Sequence, residues 1–220
     1  MTAYKLQFEL RSAATFGRGD GVAGLVDEEV EHDGDGLPFL RGRTLKGLLA
    51  EECANLLYAL ELQQQADRWR QTAYRMFGQP GSTIEDTGML RVSDARLPES
   101  LRAAIKIGVR KGELAADEVL ESLTAIRRQT SMNEYGAPEK GSLRSLRVVL
   151  PGTIFEATLE FAAEPDSRIL ALLAACILAW RRSGIGRNRG RGRLQARLLD
   201  GNGIDITERY FRVFAGEVVR

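Results

Sequence analysis

Histidine is nearly missing from this sequence: His32 is the one example in 220 residues. A Ser-His-Asp or Cys-His nucleophile system would have to be built around that residue alone. Cysteine is almost as scarce. Cys53 and Cys176 lie far apart in the chain with no histidine at ligand spacing, so neither a disulfide scaffold nor a zinc site is indicated. No apolar run reaches the roughly 18–20 residues that a membrane helix needs. The longest, Ile169 to Trp180, is followed at once by Arg181 and Arg182 and reads as a buried helix. The first residues run straight into strand-like sequence without a basic-then-apolar leader, so the expected location is the cytoplasm, with no membrane partner.

Net charge is small too, +1, and by itself announces no polyanion partner. The distribution says more. Asp20, Asp27, Glu28, Glu29, Glu31, Asp33 and Asp35 follow one another without an intervening lysine or arginine. From Arg181 to Arg197 there are seven arginines and no acid. Opposed blocks hidden in a balanced total predict surfaces of opposite sign.

Periodicity supplies the elements. Tyr4, Leu6, Phe8 and Leu10 alternate as one face of a half-buried strand. Residues 12–36 carry six glycines and many acids, and read as a long loop with room for a short strand at 24–30. Thr44 is positioned to cap a helix running to about residue 65, with Leu45, Leu48, Leu49, Cys53, Leu56, Leu57 and Leu60 on one stripe. A second helix spans 68–77, then a turn-rich stretch 79–87 and a strand 89–95. Residues 99–124 read as helix interrupted at Gly108 and Gly112, and 126–141 as a polar, basic, turn-rich excursion. Strands at 143–150 and 153–161 flank a Pro151-Gly152 turn. Asp166 opens the apolar helix, a Gly-Arg loop leads into the strand at 194–199, and 210–214 are assigned to a last short strand.

Stripped of insertions, the order is that of an α+β, ferredoxin-like plan, shared with RNA-recognition-motif domains. One domain is expected over 1–220, with a core of about 3–60, 89–95 and 143–214 and insertions of about 61–88 and 96–142.

Two segments suit phosphate. Arg41 and Arg43 precede the first long helix and Lys46 lies in its first turn, where free backbone N–H groups and three cations meet. Between Gly184 and Arg193, glycines that permit close backbone approach alternate with Arg187, Arg189, Arg191 and Arg193, whose planar forks match phosphate oxygens. The bland alternatives are solvated charges in the first segment and glycines kept for packing in the second.

Three segments together carry a family likeness: LPFLRGRTLKGLLAEE (37–52), SLRSLRVVLPGTIFEATLEF (142–161) and SGIGRNRGRGRLQARL (183–198). In this order they resemble the RAMP superfamily of CRISPR-associated proteins, and within it the small backbone subunit of type III effector complexes. The first departs from the family's proline- and serine-containing lead into the helix by having Arg41, Arg43 and Thr44. The resemblance implies a subunit that polymerises head-to-tail along guide RNA with other CRISPR effector subunits. It also implies a protruding thumb near 126–147, where Arg127, Arg128, Lys140, Arg144 and Arg147 surround a polar tip. Finally, it implies an aspartate in the acidic loop that cleaves the complementary target RNA. The family's pattern aligns with Asp27, or in a rival register with Asp20. A carboxylate there can hold a divalent cation, Mg2+ being expected, and help bring a ribose 2′-hydroxyl in line with its phosphodiester.

Three other readings stay open at this point. The subunit binds without cutting; it is a stand-alone guide-RNA-processing endonuclease that uses His32; or it is an unrelated protein-interaction domain.

Overall fold

The computed structural model describes residues 4–62, 66–79 and 88–218. Most of the turn-rich stretch 79–87 and the last residues of the first predicted helix lie outside these. A four-stranded antiparallel sheet forms the frame: β1 (Tyr4–Leu10), β2 (Leu90–Val92), β5 (Ile154–Phe161) and β6 (Leu194–Leu199), in the order β2-β5-β1-β6. Relabelled as strands one to four of a βαββαβ unit, that order is 2-3-1-4, the ferredoxin-like arrangement expected from the sequence. β1 is central, pairing Phe8 with Phe155 on one side and Ala196 on the other.

The alternation in β1 does what its pattern predicts. Tyr4, Leu6, Phe8 and Leu10 are buried, while Lys5, Gln7 and Glu9 face away from the helices. Phe8 stacks on Phe155 at 5.2 Å and meets Trp180 edge-on at 4.9 Å. Aromatic pairs of this kind add about 0.5–1.5 kcal/mol beyond the area they bury.

Helices α1 (Gly42–Glu61), α2 (Ala66–Phe77), α5 (Ser167–Ala179) and α6 (Thr207–Val218) form a layer on that face. α5 is apolar all round because it is the centre of the layer. Every residue from Ile169 to Ile177 is buried, and Asp166 caps the helix by accepting from the Ile169 N–H at 2.9 Å. Cys53 of α1 and Cys176 of α5, distant in sequence, meet in this core, where burial pushes the Cys176 thiol well up.

Four local expectations need correction. Arg41, not Thr44, is the residue before α1, and the first helical N–H, that of Gly42, donates to the Asp94 carboxylate at 2.9 Å. The strand expected at 210–214 is the middle of α6, whose Phe214 packs on Trp69 of α2. Period-two alternation over so short a window also fits one face of a helix. The strands at 143–150 and 153–161 do not share a sheet. β4 (Arg144–Val149) ends before Pro151-Gly152 and forms its ladder with β3 (Thr124–Gln129), with single bridges to Ala14 and Glu28. The short strand expected at 24–30 is a set of isolated bridges, Val22 to Val26, Gly17 to Val30 and Glu28 to Leu146.

The expected insertion at 61–88 contributes to the core. Trp69 and Met76 of α2 are 2% and 0% exposed and belong to the main core. α3 (Glu99–Arg110) and α4 (Ala116–Leu123) precede the β3–β4 hairpin, separated by a turn at Gly112. Residues 130–143 form the hairpin's tip, where Asn133 folds the chain by accepting from the Tyr135 and Ala137 N–H groups, both at 3.0 Å. Among the described residues no helix is long and apolar enough to cross a membrane.

Candidate nucleic-acid interface

The sheet surface facing away from the helices is where an RNA-recognition motif stacks bases on aromatics. Here it offers Lys5, Gln7, Glu9, Glu156, Gln195 and Arg197. Several of these already bond to one another, Gln7 to Glu156 at 2.9 Å and Arg11 to both Glu9 and Gln195 at 2.7 Å. With no aromatic ring in that set, the sheet face is no stacking platform.

The cations gather instead at two clefts separated by the Gly184–Arg191 loop. The loop is packed down at its two ends. Gly184 (φ +90°) lies against the Thr15 backbone and Gly192 (φ +65°) against the Ser183 carbonyl, positions where any side chain would collide. Packing glycines thus hold a short 3-10 turn, Arg187–Arg189, out toward solvent. Both readings of the glycines apply at once.

The first cleft, about 380 Å³, runs along α1. Thr44, Gly47, Leu48 and Glu51 form its helical wall, Phe16, Phe39 and Leu40 its apolar floor, and Ile185 and Arg187 its far side. Its two arginines are not free. Arg41 gives Nε and Nη2 to the Glu31 carboxylate at 2.9 and 2.8 Å, and that hydrogen bonding raises its pKa further. Arg187 gives Nη2 to both oxygens of Glu51 at 2.7 and 3.0 Å.

The second cleft, about 730 Å³, lies between the loop and the base of the β3–β4 hairpin. Gln129, Arg144, Ser145 and Leu146 line one side, Gly186, Asn188, Arg189 and Arg191 the other, and Asp27 and Glu28 sit between. Arg144, Arg189 and Arg191 have no carboxylate within ion-pair distance among the described residues.

Asp27 is fixed to β4 along its whole peptide unit. Its Oδ2 accepts from the Ser145 N–H at 2.7 Å and from the Ser145 hydroxyl at 3.2 Å, while its own N–H donates to the Ser145 carbonyl at 2.8 Å. The Ser145 N–H is the main reason its carboxyl titrates below the ordinary value of 3.8, and nearby Arg144 adds to the shift. Asp27 is therefore a carboxylate, not a proton donor, at neutral pH.

The base beneath is a buried ion pair. Arg147 Nε lies 2.8 and 3.0 Å from the Glu29 oxygens, its Nη1 donates to Thr124 at 3.2 Å, and the Thr15 hydroxyl donates to its carbonyl at 2.9 Å. Arg147, grouped by sequence with the basic residues of the excursion, is therefore a structural residue.

The remaining expected residues scatter. Asp20 lies outside both clefts, paired with Arg18 at 2.5 Å. Arg43 faces solvent beside the first cleft, and Lys46 sits half-buried on the far flank of α1, where burial lowers its pKa. The three cations of the helix start thus do not converge. Arg127 pairs with Leu146 across the hairpin and so shares the face of Gln129 and Arg144, whereas Arg128, paired with Ser145, takes the opposite face. Arg193 opens β6 outside both clefts, its carbonyl accepting from the Arg11 N–H at 2.7 Å. His32 is outside them as well, its Nδ1 3.1 Å from the Asp33 carbonyl.

The acidic block does not form an acidic surface. Glu29 pairs with Arg147, Glu31 with Arg41, Asp33 with Arg96 at 3.4 Å and Asp35 with Lys106 at 3.9 Å. Among the described residues no three acidic or sulfur or imidazole ligands come together as a metal group. Asp27 fits a cation only as a single carboxylate completed by phosphate oxygens and water, the way Mg2+ is commonly held. Glu51, which sequence reasoning did not select, and Arg144, named there only among the basic residues of the thumb, are brought in by the tertiary fold. Glu51 lies on the Thr44–Gly47–Leu48–Glu51 stripe, a helical face distinct from the core face, and that stripe was the available signal.

Comparison with known proteins agrees with this architecture. No curated protein matches the sequence. Among solved structures, chains of the type III-B Cmr-β complex share the fold. One, from a cryo-EM structure bound to cognate target RNA, has a TM-score of 0.60 at 15% identity. Another, in the apo state, has 0.61 at 17%. In each case the match covers 89% of this chain and 96% of the other. The sequence model of the RAMP superfamily matches residues 7–195, from β1 through the arginine loop into β6, and the chain belongs to that superfamily.

Proposed function

We propose that this protein is an RNA-binding backbone subunit of a type III CRISPR effector complex, assembling head-to-tail with further subunits along guide RNA. In this reading Asp27 takes part in cutting the complementary target strand. The observation that carries it is the second cleft: a carboxylate held ionised by Ser145, facing three arginines without carboxylate partners at the foot of a protruding hairpin. Superfamily membership and the fold shared with Cmr-β chains, one of them in a structure bound to cognate target RNA, support the same reading.

Arg144, Arg189 and Arg191 would hold backbone phosphates, contacts that give affinity without reading sequence. Guide pairing would then supply sequence recognition. Asp27, a poor proton acceptor while its pKa is depressed, would orient the ribose 2′-hydroxyl toward the adjacent phosphorus. As the 2′-oxygen bonds to phosphorus, the P–O5′ bond breaks, the 2′-hydroxyl proton leaves to solvent and the departing O5′ takes a proton from water, giving a 2′,3′-cyclic phosphate and a 5′-hydroxyl. A divalent cation, bound by Asp27 Oδ1, phosphate oxygens and water, would supply charge neutralisation at the phosphate.

A second reading is favoured by the Ser145 hydrogen bonds themselves. They make Asp27 a staple between the loop and the hairpin, as a binding-only subunit would need. Asp27→Asn separates the two, because its amide oxygen still accepts from Ser145 while the charge is gone. In complexes reconstituted with guide RNA, partner subunits and Mg2+, the nuclease reading expects target bound normally and cutting at this subunit's sites reduced by about a hundredfold or more. Undiminished cutting makes Asp27 a staple.

A further inference from the structure

The two arginines of the first cleft are already held by carboxylates in the geometry a phosphate would use. Glu31 engages two nitrogens of Arg41, and Glu51 spreads both oxygens over one nitrogen of Arg187. Both pairs stand at the rim of one cleft, over a floor of Phe16, Phe39 and Leu40. Neither is a buried structural pair like Glu29–Arg147. The Arg41 side chain is 61% exposed against 12% for Glu31, and the Glu51 side chain 46% against 33% for Arg187, so solvent reaches the first pair from its arginine and the second from both partners.

We propose that Glu31 and Glu51 set the affinity and selectivity of the RNA site by occupying the phosphate seats until a strand displaces them. This rests on the reading of the clefts as an RNA interface. A guanidinium fork satisfied by a carboxylate gains little when one phosphate replaces it, since one charge-assisted pair is exchanged for another. A strand presenting phosphates to both seats makes two exchanges for a single loss of translational freedom. The cleft therefore discriminates against mononucleotides and inorganic phosphate in favour of a continuous sugar-phosphate backbone. It also leaves the unpaired arginines of the second cleft as the points of first contact.

The test measures binding of a fluorescent oligouridylate at low salt to wild type, Glu51→Gln, Arg187→Ala and the double variant, with Glu31→Gln alongside. Glu51→Gln should bind about two- to fivefold more tightly, the worth of one exposed pair released from competition. It should also unfold at a slightly lower temperature, so that affinity and stability move in opposite directions. Glu31→Gln should shift affinity the same way, and the Glu51→Gln gain should vanish in the Arg187→Ala background. Equal or weaker binding by Glu51→Gln would overturn the proposal and make Glu51 a residue that positions Arg187 for phosphate. A gain that survives Arg187→Ala would overturn it as well, since it would reflect net charge alone. If wild type itself fails to bind the oligonucleotide, the RNA-interface reading falls, and this inference with it.

Discussion

The two clefts share Gly184, Ile185 and Arg187 yet treat their cations in opposite ways. Along α1, two arginines face two glutamates over an apolar floor, and local charge is balanced. Against the hairpin base, four arginines face Asp27 and Glu28, and three of the arginines have no carboxylate partner. A polyanion meets strong attraction in the second cleft and competition in the first. The site's preference is set by which arginines are already satisfied, which their number does not reveal.

The comparison can be broken most severely at its foundation. Arg147→Ala would leave the Glu29 carboxylate buried and unpaired beneath the second cleft, costing about 3–5 kcal/mol. Thermal unfolding should show a large drop. In any fraction that stays folded, amide exchange should rise at 25–28 and 145–147 before it rises along α1.

A smaller effect separates the two sets of arginines. Arg189→Ala or Arg191→Ala should weaken oligonucleotide binding and lower the slope of log K against log salt by about one for each phosphate left without its arginine. Arg187→Ala should cost less, because wild-type Arg187 must first give up Glu51. Equal losses at all three positions would erase the distinction between the clefts.

The smallest effect is one of pH. The folded pKa of Asp27 is lowered, so the stabilisation from its Ser145 hydrogen bonds is present above the ordinary carboxylate value and lost as pH falls through the depressed one. RNA binding and cutting should then show no inflection from Asp27 between about pH 5 and pH 8, with loop docking weakening only below about pH 4. An Asp27-dependent inflection near neutrality would mean that neighbouring phosphate charge or desolvation in the working complex outweighs the Ser145 hydrogen bonds.

Some of this was legible from residues alone. Period-two burial in β1, the all-apolar α5 with Asp166 at its start, and the Gly-Arg loop before β6 follow from short-range pattern, and each stands where the pattern put it. The strand at 89–95 survives as Leu90–Val92. Where pattern misled, the cause was long-range. Residues 210–214 alternate like a strand but pack as a helix because α5 and Trp69 offer Phe214 a helical seat. Residues 143–150 continue a hairpin pattern with 153–161, yet pair with β3, since the chain enters the central sheet only after Pro151-Gly152.

The site divides along the same line. Sequence by itself determined the presence of an RNA-suited arginine loop, the candidate aspartates, and the order of elements that makes a ferredoxin-like sheet, because propensity, capping and alternation act over a few residues. Only the tertiary structure decided which charges are available. Acids and bases as far apart as Glu29 and Arg147, or Glu51 and Arg187, neutralise each other across the fold. Asp27 reaches a cleft because β4, 118 residues later, gives it Ser145, whereas Asp20 closes on Arg18 two residues away. Ion pairing depends on distances of a few ångströms in space, and no spacing along the chain encodes those.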